Sequence, residues 1–202
     1  MTMDVSEATY LAGQVSLVSP DRLDVLWRTA QECAPLGGGM VEVGVYRGGS
    51  ALLLRHAVPD CPLTLFDTFD GHPEHDGTND TAEHPAGKFN DTNIGLVELL
   101  FVGTDNPPVI VPGRFPDSLA TRSIGPVFFA HVDVDIYEST RDSFEALWPL
   151  LLPGGAIVCD DYGFAECPGA KTAVHEFVAA HQDAELEALP SLQARVWKRR
   201  AR

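Results

Sequence analysis

The stretch Met40-Val41-Glu42-Val43-Gly44-Val45-Tyr46-Arg47-Gly48-Gly49-Ser50 joins a short β-rich run to the start of a helix. A continuous apolar run that stops at a glycine reads as a buried parallel strand. Gly44 and Gly48 permit positive φ and let a ligand come close to the main chain. The helix that follows presents unpaired N–H groups and a partial positive charge, suited to a carboxylate. The spacing is not GxGxxG, which argues against a dinucleotide.

Working outward, apolar runs and helical patterns alternate. Ser19-Pro20-Asp21 caps a helix that Gly37-Gly38-Gly39 stops, and Ser50 to Ala57 forms the next one. Leu63 to Phe66 is a second strand ending at Asp67, and Val109 to Val111 a third. Pro126 to Val132 and Ala156 to Cys159 are further strands; helices span Leu96–Phe101, Ser139–Leu150 and Ala170–His181. Leu186 to Trp197 fits a closing antiparallel hairpin, with Trp197 in the core. Such alternation predicts one α/β domain over residues 1–202, a doubly wound, mostly parallel sheet of seven strands with helices on both faces. Residues 1–38 form a short helical lid region; residues 71–88, rich in Gly, Pro, His and Asp, form a flexible, exposed active-site loop. His72, His75 and His84 therefore read as solvent-facing.

In doubly wound sheets ligands sit at the carboxyl ends of the strands, and the acidic residues cluster there. Asp67 closes the second strand, about 20 residues past the glycine turn, where an acidic side chain accepts from ribose hydroxyls. Together with that turn it favours a nucleoside-type ligand. In Phe129-Ala130-His131-Val132-Asp133-Val134-Asp135, two-residue alternation puts Asp133 and Asp135 on one side if the strand runs on. His131 shares that parity and reads as a buried structural histidine. Asp160-Asp161 follows a neighbouring strand, roughly 4.8 Å away. Two unit charges 4 Å apart repel by about 4 kcal/mol at an effective dielectric near 20. Such a cluster needs a shared proton or a bound cation, and all-oxygen donors favour a hard one such as Mg²⁺.

Composition excludes several classes. The 202 residues carry 29 acidic against 14 basic side chains, net −15, which argues against a nucleic-acid partner. The basic tail Lys198-Arg199-Arg200-Ala201-Arg202 reads as a solvated terminus. No run of about 18 apolar residues appears, so no membrane helix is expected. Met1 to Tyr10 lacks the basic-then-apolar order of a signal peptide, and cytoplasmic location is the expectation. Cys33, Cys61, Cys159 and Cys167 show no metal-finger spacing and read as free thiols, Cys159 as core.

The segments quoted above, with Phe66-Asp67-Thr68-Phe69-Asp70-Gly71, Phe89-Asn90-Asp91-Thr92, Phe115-Pro116-Asp117-Ser118-Leu119, Asp133-Val134-Asp135-Ile136-Tyr137-Glu138-Ser139-Thr140 and Asp160-Asp161-Tyr162, resemble the macrocin-type sugar O-methyltransferases. The order holds from about residue 19 to the end. The resemblance implies a class I methyltransferase that uses S-adenosylmethionine and Mg²⁺ in natural-product (antibiotic) biosynthesis. Asp133, Asp160 and Asp161 would be the metal ligands and Asp135 the general base. Glu42, Gly44, Val45, Tyr46, Gly48, Ser50, Asp67 and Asp133 would hold the cofactor, and Gly113-Arg114-Phe115 would contact adenine. The implied acceptor is a hydroxyl of a sugar or glycoside. A catechol-type phenolic acceptor, and a related metal-dependent enzyme other than a methyltransferase, stay open. The segment before the first strand, about 40 residues, is shorter than in the sugar-modifying members. A homodimer is one arrangement that would complete so short a lid.

Overall fold

The structure, a computed structural model, describes residues 3–75 and 77–200. Helices α1 (Val5–Ala12) and α2 (Pro20–Cys33) precede β1 (Gly39–Val43). Then come α3 (Gly49–Ala57), β2 (Leu63–Asp67), α4 (Ile94–Leu100), β3 (Val109–Pro112), β4 (Val127–Val132) and α5 (Tyr137–Leu147). The chain closes with β5 (Leu151–Cys159), α6 (Pro168–Ala180), β6 (Ala184–Ala188) and β7 (Ala194–Lys198). The seven strands lie in the order β3-β2-β1-β4-β5-β7-β6. The first five are mutually parallel; β7 runs antiparallel to β5, and β6 to β7. The α/β sheet and its terminal hairpin match the expectation.

Each face of the sheet carries its own core. Met40, Leu63, Leu65, Phe129 and Val158 pack under α1, α2 and α3. Val41, Val43, Phe66, Ala130, Val132 and Ile157 pack under α5 and α6. All six residues of β4 are buried, as expected of a central parallel strand that is apolar but for His131. Fully burying one such Val, Leu or Phe is worth roughly 1.5–3 kcal/mol.

Several local expectations change. Helix α1 lies within residues 1–38, the segment read as helical; Asp4 caps it by accepting from the Glu7 amide at 3.0 Å. Strand β5 starts at Leu151, five residues early, because Pro153-Gly154-Gly155 is absorbed where the register against β4 shifts. Trp197 is half-buried, its indole N–H donating to Glu187 at 3.0 Å. The basic tail is tied down in part: the Lys198 ammonium donates to the carbonyls of Trp148 and Leu151. Ala201 and Arg202 lie outside the described residues. The four cysteines are buried and free. Among the described residues no helix is long and apolar enough to cross a membrane.

Candidate active site

Strand order reverses between β1 and β4, which run to β3 on one side and to β5 on the other. Their carboxyl ends therefore splay apart and leave a crevice. A cavity of about 330 Å³ opens there. One side is built by the turn after β1, with Val43 to Arg47, Gly49 and Ser50, and by Asp67 at the end of β2. The other is built by Asp133 to Asp135 after β4 and by Asp161 after β5. Gly113, Arg114 and Phe115 close one end, and Val15 to Val18, between α1 and α2, lean over the top.

At the turn, Asp67 is the organiser. Its Oδ2 accepts from the amides of Val45 at 2.6 Å and Tyr46 at 2.9 Å, and its Oδ1 accepts from Phe69 at 2.7 Å. Those bonds hold the loop in which Gly44 takes φ +85°. A Cβ on Gly44 would stand 1.8 Å from the Asp133 carbonyl oxygen, so glycine is demanded here by two backbones meeting. Gly48 takes φ +82°, and a Cβ there would press Val97 and Leu100 of α4 at about 3.0 Å. Gly48 is thus a packing glycine and does not line the cavity. Glu42 does not line it either: fully buried in β1, it accepts from His131 Nδ1 at 2.8 Å. His131, beside it in β4, is the buried structural histidine expected.

The carboxylates converge by a route that strand parity did not foresee. Strand β4 ends at Val132, and Asp135 takes a left-handed φ of +61°, so alternation is broken before it. The turn that follows is pinned by Asp161, whose Oδ2 accepts from the amides of Val134 at 3.1 Å and Asp135 at 2.8 Å. Burial, reinforced by the charge on Asp135 and opposed by His131, pushes the Asp133 carboxyl up to about 6. Burial and the charges of Asp135 and Asp133 raise Asp161 well above the usual carboxylate range. For Asp135 burial pulls the same way, but the hydrogen bond from His72 and the charges of His72, His84 and Lys88 outweigh it and hold its carboxyl low.

Asp160 lies apart from this face. It is fully buried and does not line the cavity; its Oδ2 meets the Arg22 guanidinium from α2, and its Oδ1 accepts from Gln193 at 2.7 Å. Among the described residues, donor atoms of Asp133 group with those of Asp160 and His131, and donor atoms of Asp161 with those of Asp135 and Cys167. Arg22 and Gln193 escaped sequence reasoning, because a single arginine on a helix and a glutamine in a hairpin turn carry no spacing signal.

The loop histidines are the main correction. His84 is buried, and His72 and His75 are nearly so in their side chains. Residues 71–75 and 77–88 fold inward over Asp135, with the His72 amide donating to the Lys88 carbonyl and the Gly87 amide to the His72 carbonyl, both at 2.9 Å. His75 Nε2 contacts the His84 carbonyl at 2.8 Å. A Gly/Pro/His-rich segment has no periodicity to separate inward from outward side chains.

A family model described as macrocin-O-methyltransferase (TylF) matches residues 12–198. The chain belongs to that family. It is 30% identical over 177 residues to the 8-demethyl-8-(2,3-dimethoxy-alpha-L-rhamnosyl)-tetracenomycin-C 4'-O-methyltransferase of Streptomyces olivaceus, covering 80% of this chain and 67% of the relative. It is 33% identical over 155 residues to the demethyldecarbamoylnovobiocin O-methyltransferase of Streptomyces niveus, covering 70% of this chain and 58% of the relative. The chain thus spans little more than half the length of the second relative. Among solved structures, the O-methyltransferase NovP superposes with a TM-score of 0.79 at 27% identity, over 92% of this chain and 82% of that one. The TylF-family assignment agrees with the motifs and with the class I methyltransferase fold.

Proposed function

We propose that this TylF-family chain transfers a methyl group from S-adenosylmethionine to a hydroxyl of a sugar or glycosylated natural product, with Mg²⁺ bound and Asp135 as the general base. The observation that carries the reading is a single cavity with a glycine turn and helix N-terminus on one side and three carboxylates on the other. The relative from Streptomyces olivaceus is named for a rhamnosyl substrate, which favours a sugar hydroxyl over a free phenol.

The chain fits the cofactor. The start of α3, with Gly49 and Ser50 on the cavity wall, suits the methionine carboxylate. Asp67 has given both lone pairs of Oδ2 to amides but only one of Oδ1, which leaves room for a ribose hydroxyl. Val45 and Tyr46 flank that position, and Gly113, Arg114 and Phe115 would border the adenine. Glu42 and Gly48 would act from beneath, by fixing His131 and the approach of α4. On the cavity wall Asp133 and Asp161 fit a hard cation, since crowded, upward-shifted carboxylates are what a divalent ion relieves. Asp133, Asp160 and Asp161 would hold it, with Arg22 sharing Asp160. When bound, Mg²⁺ supplies Lewis acidity that lowers the pKa of an acceptor hydroxyl.

The remaining chemistry belongs to the protein. The acceptor oxygen attacks the sulfonium methyl carbon, the carbon–sulfur bond breaks, and its electron pair stays on sulfur in S-adenosylhomocysteine. The hydroxyl proton passes to Asp135, which its histidine and lysine neighbours keep ionised. Alignment of oxygen, methyl and sulfur supplies roughly 7–11 kcal/mol, and proton transfer typically contributes about 10²–10⁴-fold. Asp135→Asn should lose turnover by about that factor while calorimetry still shows S-adenosylmethionine binding. Near-normal turnover of the variant contradicts the base assignment. EDTA should abolish turnover and Mg²⁺ restore it; indifference to chelation contradicts the metal assignment.

A further inference from the structure

The inward fold of residues 71–75 and 77–88 does more than cover Asp135. His72 Nε2 lies 3.2 Å from Asp135 Oδ2, and His84 Nδ1 lies 3.4 Å from Asp135 Oδ1. The two ring nitrogens are 3.3 Å apart. Donors placed about 2.0–2.1 Å from a tetrahedral Zn²⁺ stand about 3.3–3.4 Å from one another. The two imidazole nitrogens already stand at the spacing of one tetrahedral edge, and one donor atom from each of the three side chains lies within 4.8 Å of the others, leaving a fourth position for water.

Donor chemistry separates this cluster from the all-oxygen group beside it. Two imidazoles and one carboxylate suit Zn²⁺ and its first-row neighbours, whereas carboxylates alone suit Mg²⁺. The side chains are enclosed, with exposures of 9% for His72, 6% for His84 and 16% for Asp135. The tautomer is also arranged. The Cys167 thiol donates toward Asp135 Oδ1 at 3.7 Å, and its sulfur lies 3.4 Å from His84 Nε2, placed to accept from an Nε2–H. That leaves the Nδ1 lone pair of His84 facing the cluster. The Lys88 ammonium sits 3.4 Å from the same nitrogen, so an incoming ion takes over the position of a resident cation.

We propose that His72, His84 and Asp135 form a second metal site, selective for a borderline ion of which Zn²⁺ is the reference. The ion draws loop 71–88 onto the turn after β4 and occupies the carboxylate that methyl transfer uses as its base, so the site is inhibitory. This goes beyond the proposed activity, and its binding arm depends on neither cofactor nor acceptor.

The test is equilibrium dialysis of the full chain against Zn²⁺ in excess Mg²⁺, followed by Co²⁺ spectroscopy. One Zn²⁺ per chain should remain bound against Mg²⁺, and Co²⁺ should show the intense visible bands of a four-coordinate ion. His72→Asn and His84→Asn should each weaken Zn²⁺ by at least the roughly 10–100-fold associated with losing an outer-shell partner. Lys88→Met should tighten it, a gain that misfolding does not mimic, and Asp133→Asn should leave it in place. Displacement of Zn²⁺ by Mg²⁺, or loss of binding in Asp133→Asn with retention in both histidine variants, overturns the proposal. In turnover assays Zn²⁺ should inhibit the parent chain and not His84→Asn; equal inhibition of both refutes the inhibitory role.

Discussion

Asp133 shows how one residue ties stability to ligand. Its carboxyl is pushed up to about 6 in the folded chain, chiefly by burial, against about 3.9 for an unperturbed aspartate. A folded value above the unfolded one means that the folded form holds its proton more tightly. The resulting stability is fully present below about pH 4 and is lost as pH rises through about 6. In EDTA, the melting temperature of the parent chain relative to Asp133→Asn should therefore fall between those limits. Mg²⁺ should raise the melting temperature more above pH 6 than below it, because the ion competes with the proton. A parent-minus-variant difference that grows with pH in EDTA contradicts this account. Asp133, Asp135 and Asp161 were legible from spacing after apolar runs. Arg22, His72, His84 and Lys88 were not, because their roles come from distant segments meeting in space.

At the scale of elements, the turn after β1 and the end of β4 are a single device. Gly44 at φ +85° lets the two backbones meet, and Asp67 and Asp161 then fix the two turns through pairs of amide hydrogen bonds. Gly44→Ala combines an unfavourable φ with a backbone collision and should cost about 3 kcal/mol or more in urea unfolding. Gly125→Ala, with nothing within 4 Å of its added Cβ, should stay within about 0.5 kcal/mol of the parent. A loss below about 1 kcal/mol for Gly44→Ala contradicts the close-approach argument. The glycine turn itself was plain in the sequence. The left-handed Asp135 was not, since two-residue alternation carries no signal of where a strand stops.

For the whole molecule, strand–helix alternation predicted a parallel sheet and a closing hairpin, and both are present. The strand order, and hence the crevice between β1 and β4, comes from crossover geometry that no single segment encodes. Of the 29 acidic side chains, four aspartates (Asp133, Asp135, Asp160 and Asp161) lie just past the ends of two neighbouring strands, β4 and β5. Helix α1 packs against α3 closely enough that a Cβ on Gly49 would stand 2.7 Å from the Ala12 carbonyl oxygen. Helix α1 and the residues after it are thereby fixed beside the cavity, and Val15 to Val18 line it.

The most direct test of the central claim is mass spectrometry of the chain incubated with S-adenosylmethionine, Mg²⁺ and a panel of deoxysugar glycosides and their aglycones. The account predicts a gain of about 14 daltons confined to the sugar fragment, with S-adenosylhomocysteine released in equal amount and neither product formed in EDTA. Methylation of a phenolic aglycone alone, or no methyl transfer to any member of the panel while the cofactor binds, contradicts it.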